Sequence, residues 1–152
     1  MDCTLKITDK NSADFVDMTK SLMGEYVALY GDEALEFCPG EALEEVLCAA
    51  VAYQNDEPAA SGAIRALGTA AELMRVYVRP ECRGQGLGTQ IVNALEAQAA
   101  ARGFSRIMLV TGLDMPAALA LYQGLGYTRM ECYGPMKDDP LCICLEKQLN
   151  SR

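Results

Sequence analysis

The most informative segment of the chain runs Val76-Tyr77-Val78-Arg79-Pro80-Glu81-Cys82-Arg83-Gly84-Gln85-Gly86-Leu87-Gly88-Thr89. A short apolar strand leads into a basic, glycine-rich turn, and a helical pattern follows at once. Glycines let the backbone approach a bulky ligand closely, and the first N–H groups of a helix have no partner within it. The positive end of the helix dipole lies at the same place. The segment therefore predicts a phosphate-binding site.

Three phosphate-binding patterns can be compared with this turn. A P-loop requires GxxxxGK[ST], which does not occur in the sequence. A dinucleotide-binding oxidoreductase requires GxGxxG; Gly84 and Gly86 supply two glycines, but Thr89 stands where the third belongs. The pattern [QR]-x-x-G-x-[GA] is matched at every fixed position, by Arg83, Gly86 and Gly88. We favour this third pattern, and a purely structural glycine turn is the alternative.

Length and charge narrow the class of protein. The chain has 152 residues and a formal net charge of −8, and 51% of its residues are hydrophobic. We expect residues 1–152 to form a single domain with its own core. No apolar run could cross a bilayer and no secretory signal is evident, so we expect a cytoplasmic protein without a membrane partner. The negative charge argues against a nucleic-acid partner, because phosphate neutralisation requires a basic face.

Histidine and cysteine usage excludes several chemistries. The chain has no histidine, which rules out Ser-His-Asp catalysis, Cys-His catalysis and histidine-ligated metals. Its seven cysteines show neither a CxxC pair nor metal-ligand spacing. We therefore expect no metal site, and mostly reduced cysteines packed as small hydrophobic residues. For Cys142 and Cys144, which stand in one apolar strand, we expect only one to face the core.

Hydrophobic periodicity predicts a mixed α/β (α+β) fold with an antiparallel front and a strand-helix-strand back. Strands are predicted over 5–8, 47–54, 59–67, 72–78, 107–110, 127–132 and 141–149, and helices over 12–30, 39–46, 86–102 and 116–125. Ser12 is the predicted N-cap of the first helix. The apolar stripe of that helix comprises Phe15, Met18, Leu22, Met23, Tyr26 and Leu29.

The order of strand, R-x-x-G-x-G and helix resembles motif A of the GNAT family of N-acetyltransferases, in which the turn holds the pyrophosphate of acetyl-CoA. A second segment, residues 118–127, resembles motif B of that family, A-x-x-L-Y-x-x-x-G-[FY]. It reads Ala118-Leu119-Ala120-Leu121-Tyr122-Gln123-Gly124-Leu125-Gly126-Tyr127. Both motifs stand in the family's order and cover roughly the second half of the chain. Met115 is a departure, because many members carry there an asparagine that contacts the pantetheine arm.

The resemblance implies a GNAT-like fold, a central, mostly antiparallel sheet of six or seven strands flanked by about four helices. It implies an enzyme, an N-acetyltransferase domain that transfers acetyl from acetyl-CoA to a primary amine by direct attack. The amine would belong to a small molecule or a peptide, and no metal would take part. Since family members are often dimers, a homodimer is also expected. The alternative is a non-catalytic acyl-CoA-binding sensor module on the same fold.

The resemblance also assigns acetyl-CoA binding to particular residues. In the family, the strand before motif A pairs through its backbone with pantetheine, and the glycine turn binds the pyrophosphate. The corresponding residues here are Val76, Tyr77, Val78, Arg83, Gly84, Gln85, Gly86, Leu87, Gly88 and Thr89.

Two catalytic residues follow from the same resemblance. Tyr122 matches the motif-B tyrosine, which in the family protonates the departing thiolate. Glu72 stands six residues before Val78, where a branch of the family places its catalytic glutamate, and would be the general base. The alternatives are a core aromatic residue for Tyr122 and an exposed strand-end carboxylate for Glu72. Because strand side chains alternate, Arg75 could pair with Glu72 only across a bulge.

Overall fold

The computed structural model describes residues 3–31, 45–112, 115–133, 137, 140 and 142–149. The strands are β1 (Cys3–Thr8), β2 (Val46–Gln54), β3 (Glu57–Leu67), β4 (Ala70–Val78), β5 (Arg106–Gly112), β6 (Thr128–Met130) and β7 (Cys142–Gln148). The helices are α1 (Ala13–Tyr30), α2 (Leu87–Ala101) and α3 (Pro116–Gly124), with a 3₁₀ turn at Pro80–Cys82. Of the predicted helix over 39–46, residues 39–44 lie outside the described residues, and Val46 begins β2.

The described strands form one seven-stranded sheet in the order β1-β2-β3-β4-β5-β7-β6. Every neighbouring pair is antiparallel except β4 and β5, which are parallel. This confirms the predicted mixed fold with a mostly antiparallel sheet. Helices α2 and α3 cover one face of the sheet and α1 covers the other. Within the described ranges, none of the helices combines the length and the hydrophobicity of a membrane span.

Helix α1 begins as predicted, because the Phe15 amide donates to the Ser12 hydroxyl oxygen at 3.4 Å. Phe15, Met18 and Leu22 are buried against the sheet. Leu29 was expected on the same stripe, but 66% of it is exposed. Among the described side chains of α1, Tyr26 is the last that packs against a buried cluster, and the helix continues one turn beyond it.

The hairpin between β2 and β3 has a shorter turn than expected. The sequence predicts a turn over 55–58, but Glu57 and Pro58 already belong to β3. Asn55 and Asp56 have φ of 53° and 66°, and these two residues alone reverse the chain. Two-residue turns with positive φ match the twist of the flanking strands, and Asn and Asp tolerate that conformation.

A β-bulge in β4 changes which side chains share a face. The pairing of β3 with β4 passes from Ser61↔Tyr77 to Ala63↔Met74, so β4 carries one extra residue. Arg75 is that residue, with φ of 57°. The bulge turns Arg75 toward α1, where its Nη1 lies 3.2 Å from the Met23 sulfur.

The strands β4 and β5 separate along most of their length. Their pairing comprises Ala71↔Ile107 and Glu72↔Met108, although β4 continues to Val78. Beyond Glu72 the facing edge of β4 therefore has no β5 partner. We call the gap between the two strands the opening; it is the feature around which the candidate site is arranged.

Cys132 and Cys144 form a disulfide and are the exception to the expectation of mostly reduced cysteines. The antiparallel pairing of β6 with β7 brings them together, and their sequence separation carries no recognisable signature. The expectation that only one of Cys142 and Cys144 can face the core is wrong, because residues two apart in β7 share one face of the sheet. The other described cysteines keep their thiols, and Cys3 among them is exposed rather than packed as a hydrophobic residue.

Candidate active site

The glycine turn has the backbone of a ligand-binding loop. After the 3₁₀ turn, the Arg83 amide donates to the Pro80 carbonyl oxygen at 3.4 Å. Gly84 and Gly86 then adopt φ of 80° and 81°, the left-handed region. A Cβ on either glycine would meet no protein atom within 4 Å. Backbone conformation, not crowding, therefore requires glycine at both positions.

The N-terminus of α2 presents amides that the helix does not use. Gly86 is the N-cap, and the first helical bond runs from the Gln90 amide to the Gly86 carbonyl oxygen at 3.1 Å. The amides of residues 87–89 thus have no partner within the helix. The first turn of α2 carries no acidic residue. These residues fit a diphosphate, which would accept from the amides at the positive end of the helix dipole.

The side chains of this turn anchor it to the rest of the fold. Leu87 is buried in the core, whereas Gln85 is exposed and accepts a hydrogen bond from Gln54. Thr89 is partly buried. A Cβ on Gly88 would lie 3.2 Å from a Leu121 methyl carbon, so glycine allows α2 to start close against α3.

Arg83 contacts α1 and β4. Its Nε donates to the Val78 carbonyl oxygen at 2.9 Å, and its Nη2 lies 2.9 Å from a Glu25 carboxylate oxygen. The guanidinium carbon lies 5.8 Å from the centre of the Tyr77 ring. Burial opposes ionisation of Glu25, but hydrogen bonds from Tyr77 and Arg83 outweigh it and hold the Glu25 pKa below its usual value. Burial and the Glu25 carboxylate raise the pKa of Tyr77 to about 12.

The end of β4 offers backbone groups to the opening. The Arg79 amide donates to the Ala59 carbonyl oxygen on β3 at 2.9 Å. Backbone direction alternates along a strand, so the amide and carbonyl groups of Val76 and Val78 face the opposite edge. The side chains of both valines pack against the core under α2, and Tyr77 packs under α1. An extended ligand could therefore pair with this edge.

Tyr122 belongs to α3 and lies in the core on the α2 face of the sheet. It is 8% exposed, and its ring packs edge-on against Tyr127 with centroids 5.7 Å apart. Burial, reinforced by Tyr26, raises the pKa of Tyr122. A phenol with a raised pKa is protonated at neutral pH and can donate its proton.

Glu72 lies where β4 and β5 part, on the α1 face. It is 8% exposed, so the interpretation as an exposed strand-end carboxylate is wrong. Its Oε1 accepts from Arg65 Nε at 2.6 Å and its Oε2 from the Tyr133 hydroxyl at 2.8 Å. Arg65 also contacts Glu45 at 2.8 Å. The bulge does bring Arg75 to this face, but the cation paired with Glu72 is Arg65.

Sequence reasoning missed Arg65 and Tyr133. The cross-strand register Arg65↔Glu72 would have identified Arg65, but register depends on the hairpin turn and the bulge. Burial lowers the pKa of Arg65, and the carboxylates of Glu72 and Glu45 more than restore it. Burial, then the Glu72 carboxylate, raises the pKa of Tyr133. No cluster of metal-ligating side chains occurs among residues with described positions.

With the fold and the candidate site described, the chain can be compared with known proteins. The family model of the acetyltransferase (GNAT) family matches residues 15–127. The chain belongs to the GNAT family. This match includes the glycine turn, Glu72 and Tyr122.

Individual GNAT relatives agree with this assignment. A crystal structure named as an acyl-CoA N-acyltransferase of Klebsiella pneumoniae superposes with a TM-score of 0.80 and 29% identity, covering 97% of this chain and 98% of that one. The IAA acetyltransferase of Azospirillum brasilense is 34% identical over 87 residues, 57% of each chain. PaiA N-acetyltransferase of Thermoplasma acidophilum, solved with coenzyme A, shares the fold with a TM-score of 0.74 and 15% identity, covering 97% and 99%. The chain thus spans little more than half of the Azospirillum enzyme.

Proposed function

We propose that the protein transfers an acetyl group from acetyl-CoA to a primary amine by direct attack of the amine on the thioester. One observation carries the proposal: the start of α2, whose first amides have no partner within the helix, packs at Gly88 against both Val78, on the part of β4 that β5 does not pair, and Leu121, the neighbour of Tyr122. The amides would hold the diphosphate of the donor, and the edge of β4 would hold its extended arm. The Tyr122 hydroxyl would lie at the far end of that arm, where the departing thiolate needs a proton.

Donor binding rests mainly on the backbone. The amides of residues 84–89 would hold the diphosphate, and Val76 and Val78 would pair with the pantetheine arm. The bound donor supplies an activated acetyl thioester. Met115 stands at the start of α3, where many family members carry an asparagine that contacts the pantetheine arm, and its side chain makes no capping hydrogen bond there. The arm would therefore be held by β4 alone. Fixing donor and amine together can itself remove a large part of the barrier.

Proton transfer falls to Glu72 and Tyr122. Each Glu72 oxygen has a second lone pair, so the carboxylate can still accept a proton from the amine through water. Tyr122 would give its proton to the leaving sulfur. The two residues approach the opening from opposite faces of the sheet, so the acid and the base remain separate.

A direct test is release of free thiol from acetyl-CoA in the presence of spermidine, kanamycin, L-lysine or a lysine-containing peptide. We expect at least one amine to release thiol in proportion to its acetylated product, measured by mass spectrometry. The ion pair between Glu72 and Arg65 favours the alternative, a sensor module that binds acyl-CoA without turning it over. Tight CoA binding without thiol release from any of the amines would support the sensor and reject the enzyme.

A further inference from the structure

The segment after β6 crosses the α1 face of the sheet. β6 is separated from β4 by β7 and β5, so the two strands lie about 14 Å apart at the usual strand spacing. Yet the Tyr133 hydroxyl, three residues after Met130, lies 2.8 Å from Glu72 Oε2 on β4. The Tyr133 side chain covers only part of that distance. Residues 131–133 therefore turn from β6 toward β4 over β7, and we call them the crossing segment.

The disulfide lies on the same path. Ile143 and Leu145 of β7 pack into the core under α2, so Cys144 between them faces the α1 side. Cys132 of the crossing segment bonds to Cys144. The residue directly before Tyr133 is thus covalently fixed to the strand that the segment crosses.

Both oxygens of the Glu72 carboxylate are held from different elements. Arg65 Nε on β3 binds Oε1, and the Tyr133 hydroxyl binds Oε2. Arg65 is itself held by Glu45. With two donors on two sides, the carboxylate cannot rotate without losing a hydrogen bond in a largely buried position, which is costly.

We infer that Tyr133 is a positioning residue that orients the Glu72 carboxylate for proton transfer, and that the Cys132–Cys144 bond keeps it in place. This inference rests on the function proposed above, because it takes Glu72 as the base. Removing the Tyr133 hydroxyl takes away a donor that favours the ionised carboxylate. The other charged groups near Glu72 and Tyr133 are Arg65 on β3, Glu45 beyond Arg65, and Arg106 on β5, which pairs with Glu146 on β7.

The test is the thiol-release assay, run at one pH with the amine that turns over. We expect kcat of Tyr133→Phe to fall about ten-fold with an unchanged KM for acetyl-CoA. Cys132→Ser should lower kcat in the same way but by less.

Tyr53→Phe is the matched control, because the Tyr53 hydroxyl donates to Asp14 at 2.6 Å between β2 and α1. It removes the same kind of hydrogen bond elsewhere, so its kcat should coincide with the parent value. A parent-like kcat in Tyr133→Phe overturns the inference while thiol release by the parent stands, and a parent-like kcat in Cys132→Ser overturns the role of the disulfide. Full thiol release by Glu72→Gln would instead remove Glu72 as the base, and the inference with it.

Discussion

Replacing Tyr122 by phenylalanine should lower kcat about 100-fold and leave the affinity for acetyl-CoA unchanged, because general acid catalysis typically contributes that much. Tyr122 is buried and its hydroxyl is protonated at neutral pH, and we propose that it lies where the thiolate would leave. Phenylalanine keeps the ring that packs against Tyr127. Steady-state kinetics give kcat, and calorimetry gives the dissociation constant of acetyl-CoA.

Tyr127→Phe is the matched control for this substitution. It removes the other hydroxyl of the same aromatic pair, which donates to Glu96 at 2.8 Å. Glu96 keeps its contact with Lys147 at 2.9 Å, so we expect a stability loss of about 1–2 kcal/mol from one lost hydrogen bond. Its kcat should stay within a few-fold of the parent. Parent-like turnover by Tyr122→Phe would remove Tyr122 from the mechanism.

Replacing Gly86 by valine should raise the dissociation constant of acetyl-CoA about 100-fold. A β-branched residue does not adopt the φ of 81° found at Gly86, so the turn must change and the amides of residues 87–89 lose their direction. A hydrogen bond to a charged group contributes about 1.5–3 kcal/mol. The loss of two such bonds, about 3 kcal/mol or more, corresponds to roughly 100-fold in affinity. Calorimetric titration with acetyl-CoA measures the change.

Gly68→Val separates backbone strain from ligand binding. Gly68 has φ of 63° and open space around its Cα, like Gly86, but lies in the turn between β3 and β4. Thermal unfolding should show a similar loss of stability in both variants. The affinity of Gly68→Val for acetyl-CoA should match the parent. An equal loss of affinity in both variants would mean that strain, not the amides of the glycine turn, weakens binding.

Short sequence patterns were enough to predict the features that depend only on neighbouring residues. The Ser12 cap depends on a few neighbouring residues, and the glycines of the turn allow the positive φ that Gly84 and Gly86 adopt. The same holds for α2, whose amides follow from its position directly after the turn. The turn and the start of α2, to which we assign the donor, could therefore be predicted from the sequence.

The surroundings of Glu72 depend on contacts between distant segments. Arg65 meets Glu72 only through the register of β3 with β4, which includes the bulge at Arg75. Tyr133 arrives over two intervening strands, and Cys132 finds Cys144 through strand pairing. No pattern of neighbouring residues predicts these contacts. Leu29 shows the converse, because a regular stripe predicts burial even where the packing surface has ended.

The central claim is that the glycine turn and the edge of β4 bind coenzyme A. A crystal structure of the protein in complex with coenzyme A would test it most directly. We expect the diphosphate oxygens to lie within about 3 Å of backbone amide nitrogens between Gly84 and Thr89, the usual length of such hydrogen bonds. The pantetheine arm should run along Val76 and Val78 with its sulfur beside Tyr122. A diphosphate bound elsewhere, with these amides turned toward other protein groups, would contradict the account.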